Sequence, residues 1–69
     1  MIRMYERVLL IRPLYLDFTG DIIKPGVEAI VVDLIDDDVV LIEFDNEKTH
    51  VGMLKSAVAS IYDFIPLRS

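Results

Sequence analysis

The 69 residues of this chain carry a net charge of −5 and include no cysteine and a single histidine. This composition excludes disulfides and thiolate metal clusters, and one histidine excludes a multi-histidine metal site within a single copy. The acidic balance also disfavours direct nucleic-acid binding, which normally needs a basic stripe.

The first part of the chain predicts one strand followed by a long loop. Residues 7–11, RVLLI, form an aliphatic run that ends at Arg12-Pro13. This run predicts strand one, because proline cannot donate a hydrogen bond to a central sheet ladder. Residues 13–26 are bounded and punctuated by proline and glycine, and they predict a long loop, with a loose hairpin as the alternative.

Two runs rich in β-branched residues predict the centre of a sheet. Residues 27–35 form the second predicted strand and residues 39–44 the third. Alternation along the third strand places Val40, Ile42 and Phe44 on one face. The opposite face mixes aliphatic side chains with a glutamate, so we expect a sheet that curls or is covered on both sides.

The last third of the chain changes character twice. Residues 45–48 predict a turn, and residues 49–54 a fourth strand. Residues 55–62 bring alanines and helical spacing of apolar side chains, which predicts a short helix or 3₁₀ turn near residues 55–61. Residues 63–67 predict a brief last strand. Together these elements predict a single all-β domain over residues 1–69: an SH3-like barrel of five short strands with a helical turn before the last strand.

The segment KPGVEAIVVDLIDDDVVLIEF, residues 24–44, resembles the KOW-type pattern of small SH3-like barrels. In that pattern a glycine-led turn feeds a strand of the form G-x-x-G-x-V-V-x, followed by a polar turn and a strand that ends in an aromatic residue. Gly26 matches the first glycine and Glu43-Phe44 the strand end, whereas Ala29 stands at the usual second glycine. The resemblance implies a binding or assembly module, similar to short stand-alone bacterial proteins.

The aliphatic content exceeds what a small core needs. Isoleucine, valine and leucine supply 25 of the 69 residues, and the hydrophobic fraction is 54%, against about 45–50% in typical soluble domains. A domain of this size has too much surface to bury all of these side chains. We therefore expect an exposed apolar patch and a homo-oligomer. The alternative is that loops cover both faces of a curved sheet.

Acidic residues are concentrated in the middle of the chain. Residues 17–47 hold ten acids against Lys24 alone, with a peak at Asp36, Asp37 and Asp38. A one-signed tract of this kind steers basic partners toward it. We predict a protein-interaction module that docks a basic protein through the turn between the second and third predicted strands, with these partner-binding residues: Asp36, Asp37, Asp38, Asp45, Glu47 and Tyr15.

Two alternatives stay open for the same acidic tract. The chain could be a structural subunit that self-associates through aliphatic surface, its acids serving only solubility. It could also be an inhibitor that occupies a nucleic-acid-binding site by acidic mimicry. For Tyr15 the alternatives are an aromatic groove shared with Tyr62, which would grip an extended segment, or ordinary packing.

Catalytic and metal sites are disfavoured by spacing. Adjacent aspartates in an extended chain point to opposite sides and no glycine follows Asp38, so a hairpin turn is favoured over a calcium loop. His50 with Ser56 or Ser60 lacks a nucleophile elbow, and no glycine-rich phosphate loop is present. We expect a non-enzymatic protein with no cofactor and no bound metal. With no apolar run of about 18 residues and no signal-peptide pattern, we also expect no membrane span and a cytoplasmic location.

Overall fold

The computed structural model describes residues 2–16, 20–44 and 56–67. Their regular structure consists of strands and one short helical turn, in this order: β1 (Arg7–Leu10), β2 (Leu14–Leu16), β3 (Asp21–Ile23), β4 (Glu28–Leu34), β5 (Val39–Phe44), β6 (Ser56–Ser60), the 3₁₀ turn (Ile61–Asp63) and β7 (Phe64–Pro66).

The strands form two sheets that share one core. A five-stranded antiparallel sheet has the order β6-β5-β4-β1-β7, and β2 and β3 form a separate hairpin. The predicted all-β class is thereby confirmed, with five strands in one sheet and a helical turn before the last strand. Within the described residues, no helix is long and apolar enough to cross a membrane.

The core follows from alternation along the central strands. In β5 the side chains of Val40, Ile42 and Phe44 are buried, as predicted, while the residues between them are at least partly exposed. Antiparallel register places Val31 of β4 and Ala57 of β6 on either side of Ile42. Because directly opposed residues lie on the same face of a sheet, these buried positions form one continuous inner layer.

The loop predicted over residues 13–26 contains the hairpin that was its alternative. Leu14 pairs with Ile23 across β2 and β3, and both side chains are buried in the shared core. Gly20, at the turn, has φ 74, a left-handed value that glycine adopts without steric cost. Leu14, Leu16 and Ile23 of this segment therefore belong to the same core as the five-stranded sheet.

The prediction of a helix or 3₁₀ turn near residues 55–61 is wrong for most of that segment. Residues 56–60 form strand β6, and the 3₁₀ turn begins only at Ile61. Ala57 and Ala59 are buried and pair with β5, while Val58 between them is exposed, so the period is two. The sheet edge offered by β5 overrides the helix propensity of alanine. The predicted turn at 45–48 and strand at 49–54 lie outside the described residues.

A bulge ties the start of the chain to β4. The β4–β5 register shifts between Val31 and Asp33, which leaves Val32 as an extra residue on β4. Beside this bulge, the Tyr5 backbone N–H donates to the Val31 carbonyl at 2.6 Å, and the Val31 N–H donates to the Glu6 carbonyl at 3.0 Å. Tyr5 adopts φ 60, a left-handed value that is costly for a residue with a Cβ atom.

We expect Ile42→Ala to lower the free energy of unfolding by about 2–5 kcal/mol, because it opens a cavity in the centre of the inner layer. Ile42 has no exposed surface. Urea unfolding followed by circular dichroism measures the change. The matched control is Ile22→Ala, at a position that is 50% exposed. Equal losses for the two variants would contradict this account of the core.

We expect Tyr5→Gly to raise the free energy of unfolding by about 0.5–1 kcal/mol, because glycine relieves the left-handed strain while the backbone bonds remain. Tyr15→Gly is the matched control. Tyr15 lies within strand β2, where glycine is less favourable than a side chain, so this change should lower stability by a similar amount. The same urea measurement applies, and a stability loss at both positions would disprove the strain at Tyr5.

Candidate functional site

Asp36, Asp37 and Asp38 form the turn between β4 and β5. The Ile35 and Asp36 N–H groups both donate to the Val39 carbonyl, at 2.9 and 3.1 Å, and the Val39 N–H donates back to the Asp36 carbonyl at 3.4 Å. Aspartate is favoured in turns because its side chain can accept a hydrogen bond from nearby backbone. Here the Asp36 Oδ1 accepts the Asp37 N–H at 2.8 Å. The hairpin interpretation of the three aspartates is therefore confirmed.

The 3₁₀ turn holds this acidic turn in place. The Ile61 N–H donates to the Asp38 carbonyl at 3.0 Å, and the Tyr62 hydroxyl donates to Asp38 Oδ1 at 3.1 Å. Ser60 caps the 3₁₀ turn, since its Oγ accepts the Tyr62 N–H at 3.2 Å. Backbone and side chain of Asp38 are thus both bound to one short segment, which fixes the tip of the hairpin.

Asp38 changes the acidity of Tyr62. The hydrogen bond to the Asp38 carboxylate raises the pKa of the Tyr62 hydroxyl above its ordinary value, and the negative charge of Asp38 adds to the effect. Both causes act in the same direction, because loss of the tyrosine proton would remove the bond and place two negative charges side by side.

A groove with a volume of about 610 Å³ lies beside the acidic turn, lined by these residues: Ile2, Leu34, Ile35, Asp36, Asp37 and Ile61. Its apolar lining comes from three separate parts of the chain. Ile35 is 52% exposed and Leu34 is 44% exposed, whereas Ile2 and Ile61 are half-buried against the core. The groove therefore combines accessible aliphatic surface with two carboxylates.

The structure brings together only part of the predicted partner-binding set. Asp36, Asp37 and Asp38 are exposed at the hairpin tip. Tyr15 is 67% exposed on the β2–β3 hairpin, where it pairs with Ile22, and it is not among the residues that line the groove. Two further predicted residues, Asp45 and Glu47, lie outside the described residues, as does His50.

Sequence patterns missed the apolar half of this site. Ile2 and Ile61 are distant in sequence from the aspartates, and their approach depends on the N-terminal segment and the 3₁₀ turn. Ile35 gave the only local signal, since it extends the apolar run of β4 to the edge of a turn, where burial is incomplete. The bond between Tyr62 and Asp38 also had no local signal.

Among the described residues, no three histidine, cysteine, aspartate or glutamate side chains are grouped so that they could hold a metal ion. No family model, curated protein or solved structure matches this chain. The likeness to KOW-type SH3-like barrels consequently stays a prediction from residues 24–44.

We expect Asp38→Asn to lower the pKa of Tyr62 toward its ordinary value of about 10, because asparagine can still accept the bond but carries no charge. The raised pKa means that this interaction stabilises the folded chain below about pH 10 and that the stabilisation is lost as pH rises through the folded-state pKa. A pH titration of the Tyr62 ring signals by NMR measures this pKa in the wild-type chain and in the Asp38→Asn variant. Identical titration curves would show that the contact with Asp38 is absent in solution.

Proposed function

We propose that this chain is a small, non-enzymatic protein-interaction module that docks a basic segment of another protein at the tip of the β4–β5 hairpin. The observation that carries this proposal is the groove in which exposed aliphatic side chains adjoin the carboxylates of Asp36 and Asp37. The KOW-type resemblance supports the same class of function, since it implies a binding or assembly module.

The apolar lining supports the proposal energetically. Burial of an exposed aliphatic side chain contributes about 25 cal/mol for each Å² removed from water. Leu34 and Ile35 are adjacent in sequence, and both have exposed aliphatic surface that a partner can bury. A partner that inserts one aliphatic side chain between them would gain a central desolvated contact of the type that dominates binding energy in protein interfaces.

The three carboxylates support a basic partner. They occupy consecutive positions in one turn, and salt screens exposed charges beyond about 8 Å at physiological ionic strength. A lysine or arginine must therefore lie close to the turn to gain from them. The Asp38 carboxylate already accepts a hydrogen bond from Tyr62. The carboxylates of Asp36 and Asp37 border the groove. We therefore assign Asp36 and Asp37 to the partner's cation.

The ligand that fits this site is a protein segment in which an aliphatic residue is adjacent to lysine or arginine. Peptide display against the immobilised protein tests this directly. We expect enrichment of sequences with that pairing, and NMR signals of Ile35 and Leu34 that shift on addition of the best peptide. Absence of any enriched sequence, or enrichment of acidic ones, would refute the proposal.

Neutralising the three aspartates of the turn tests whether their local charge, or only the net charge of the protein, attracts the peptide. Asp36→Asn/Asp37→Asn/Asp38→Asn should weaken binding of the selected peptide and flatten its salt dependence, while the asparagines still support the turn. The matched control removes three negative charges elsewhere, through Asp33→Asn, Glu43→Gln and Asp63→Asn. It should keep most of the affinity. Equal weakening by the two triple variants would mean that only overall charge matters.

The apolar contact needs its own test. Ile35→Ser should raise the dissociation constant of the same peptide at least about tenfold, because the substitution removes a central aliphatic contact without a change of charge. Ile22→Ser is the matched control, since Ile22 is 50% exposed on the separate hairpin and Ile35 is 52% exposed. Isothermal titration calorimetry measures both. An unchanged affinity for Ile35→Ser would remove the groove from the site.

A further inference from the structure

The two edges of the five-stranded sheet differ in their unpaired backbone groups. At the β7 edge, Pro66 and Phe64 each form a pair with a residue of β1. The Leu67 N–H donates to the Arg7 carbonyl at 2.9 Å, next to the Pro66 pair, and the Ile11 N–H donates to the Asp63 carbonyl at 2.8 Å, next to the Phe64 pair. In an antiparallel ladder such flanked residues direct their backbone groups away from the neighbouring strand.

The outward side of β7 is nevertheless a poor template for another strand. Proline at position 66 has no N–H group, and the Phe64 N–H donates to the Ile61 carbonyl within the 3₁₀ turn. Within the described part of the chain, β7 therefore presents no outward backbone donor. An edge without donors resists strand addition, as natural sheets commonly require.

Among the described residues, nothing protects the opposite edge, β6, in this way. The Ile61 N–H donates to the Asp38 carbonyl at 3.0 Å, which flanks the pair Val39 and Ser60. Ser60, and by alternation Val58 and Ser56, therefore direct their N–H and carbonyl groups away from β5. No hydrogen bond of the described residues uses these outward groups. The strand contains neither charge nor proline, and Val58 at its centre is 59% exposed.

The sequence of β6, Ser-Ala-Val-Ala-Ser, reads the same in both directions. When two such strands pair antiparallel about a twofold axis at Val58, each Ser56 faces a Ser60 and each Ala57 faces an Ala59. The outward groups of Val58 then bond to those of its counterpart, and the serines do the same on either side. An isologous twofold interface needs this kind of self-complementarity.

We propose that two copies of this chain associate through their β6 edges in this register, which joins two five-stranded sheets into one. The inference does not rest on the docking function proposed above. It names the occupant of the edge as a second copy because strand and register are self-complementary, whereas a partner peptide would need no symmetry in β6.

Side chains and charges favour the antiparallel arrangement. Val58 would pack against its counterpart and extend the aliphatic cross-strand pair that it forms with Leu41 of β5. Ser60 lies next to the acidic turn, so antiparallel pairing places the two acidic turns at opposite ends of a five-residue strand, whose ends are about 13 Å apart. Parallel pairing would place the same aspartates side by side, where like charges repel.

A charge swap at the twofold position tests the proposal. Sedimentation equilibrium of the wild-type chain should show twice the monomer mass of 7.9 kDa as concentration rises. Val58→Lys and Val58→Glu, each alone, should raise the dimer dissociation constant at least about tenfold, because like charges then face each other at the axis. An equimolar mixture of the two variants should associate again, since lysine then faces glutamate.

Ile35→Lys is the control for association through the groove, and it should leave the wild-type dissociation constant unchanged. Amide exchange gives a second readout on the unmodified chain: the Val58 N–H should become protected only as concentration rises. A wild type that stays monomeric up to millimolar concentration would overturn the proposal. So would a mixture that fails to associate, a Val58 N–H whose protection ignores concentration, or association that Ile35→Lys abolishes.

Discussion

The inward row of β5 is the constraint on which the remaining structure depends. Val40, Ile42 and Phe44 must all face the core, and a shift of one residue would turn every one of them to solvent. Both neighbours of β5 in the sheet take their register from this row, β4 on one side and β6 on the other. The bulge at Val32 adds one residue to β4 that has no partner on β5, and the register shifts there.

The same constraint explains why aliphatic and acidic groups meet at one end of the molecule. Once Val40 is fixed inward, the chain before it must turn within a few residues, and the aspartates supply that turn. Leu34 is the last residue of β4 and Ile35 follows it, and both side chains remain partly exposed. A domain of this size cannot extend its core to cover them.

The parts of the fold that sequence could predict are those determined by neighbours in the chain. The faces of β5 and the acidic turn followed from alternation and turn chemistry over residues 34–44. Strand β6 did not, because alternating alanines fit a helix as well as a strand until β5 lies beside them. The groove and the bond between Tyr62 and Asp38 depend on contacts between distant segments, which local patterns do not encode.

The bond from Tyr62 to Asp38 spans 24 residues, and this separation has a kinetic meaning. The β4–β5 hairpin closes a short loop and can form early, whereas contacts between distant residues require a larger loss of chain entropy and form late. We expect the 3₁₀ turn that binds Asp38 to dock only after β6 has paired with β5, because this turn directly follows β6 in the chain. A nascent or partly folded chain would thus display three aspartates on an unfastened loop, and the complete acidic turn would be a property of the finished fold alone.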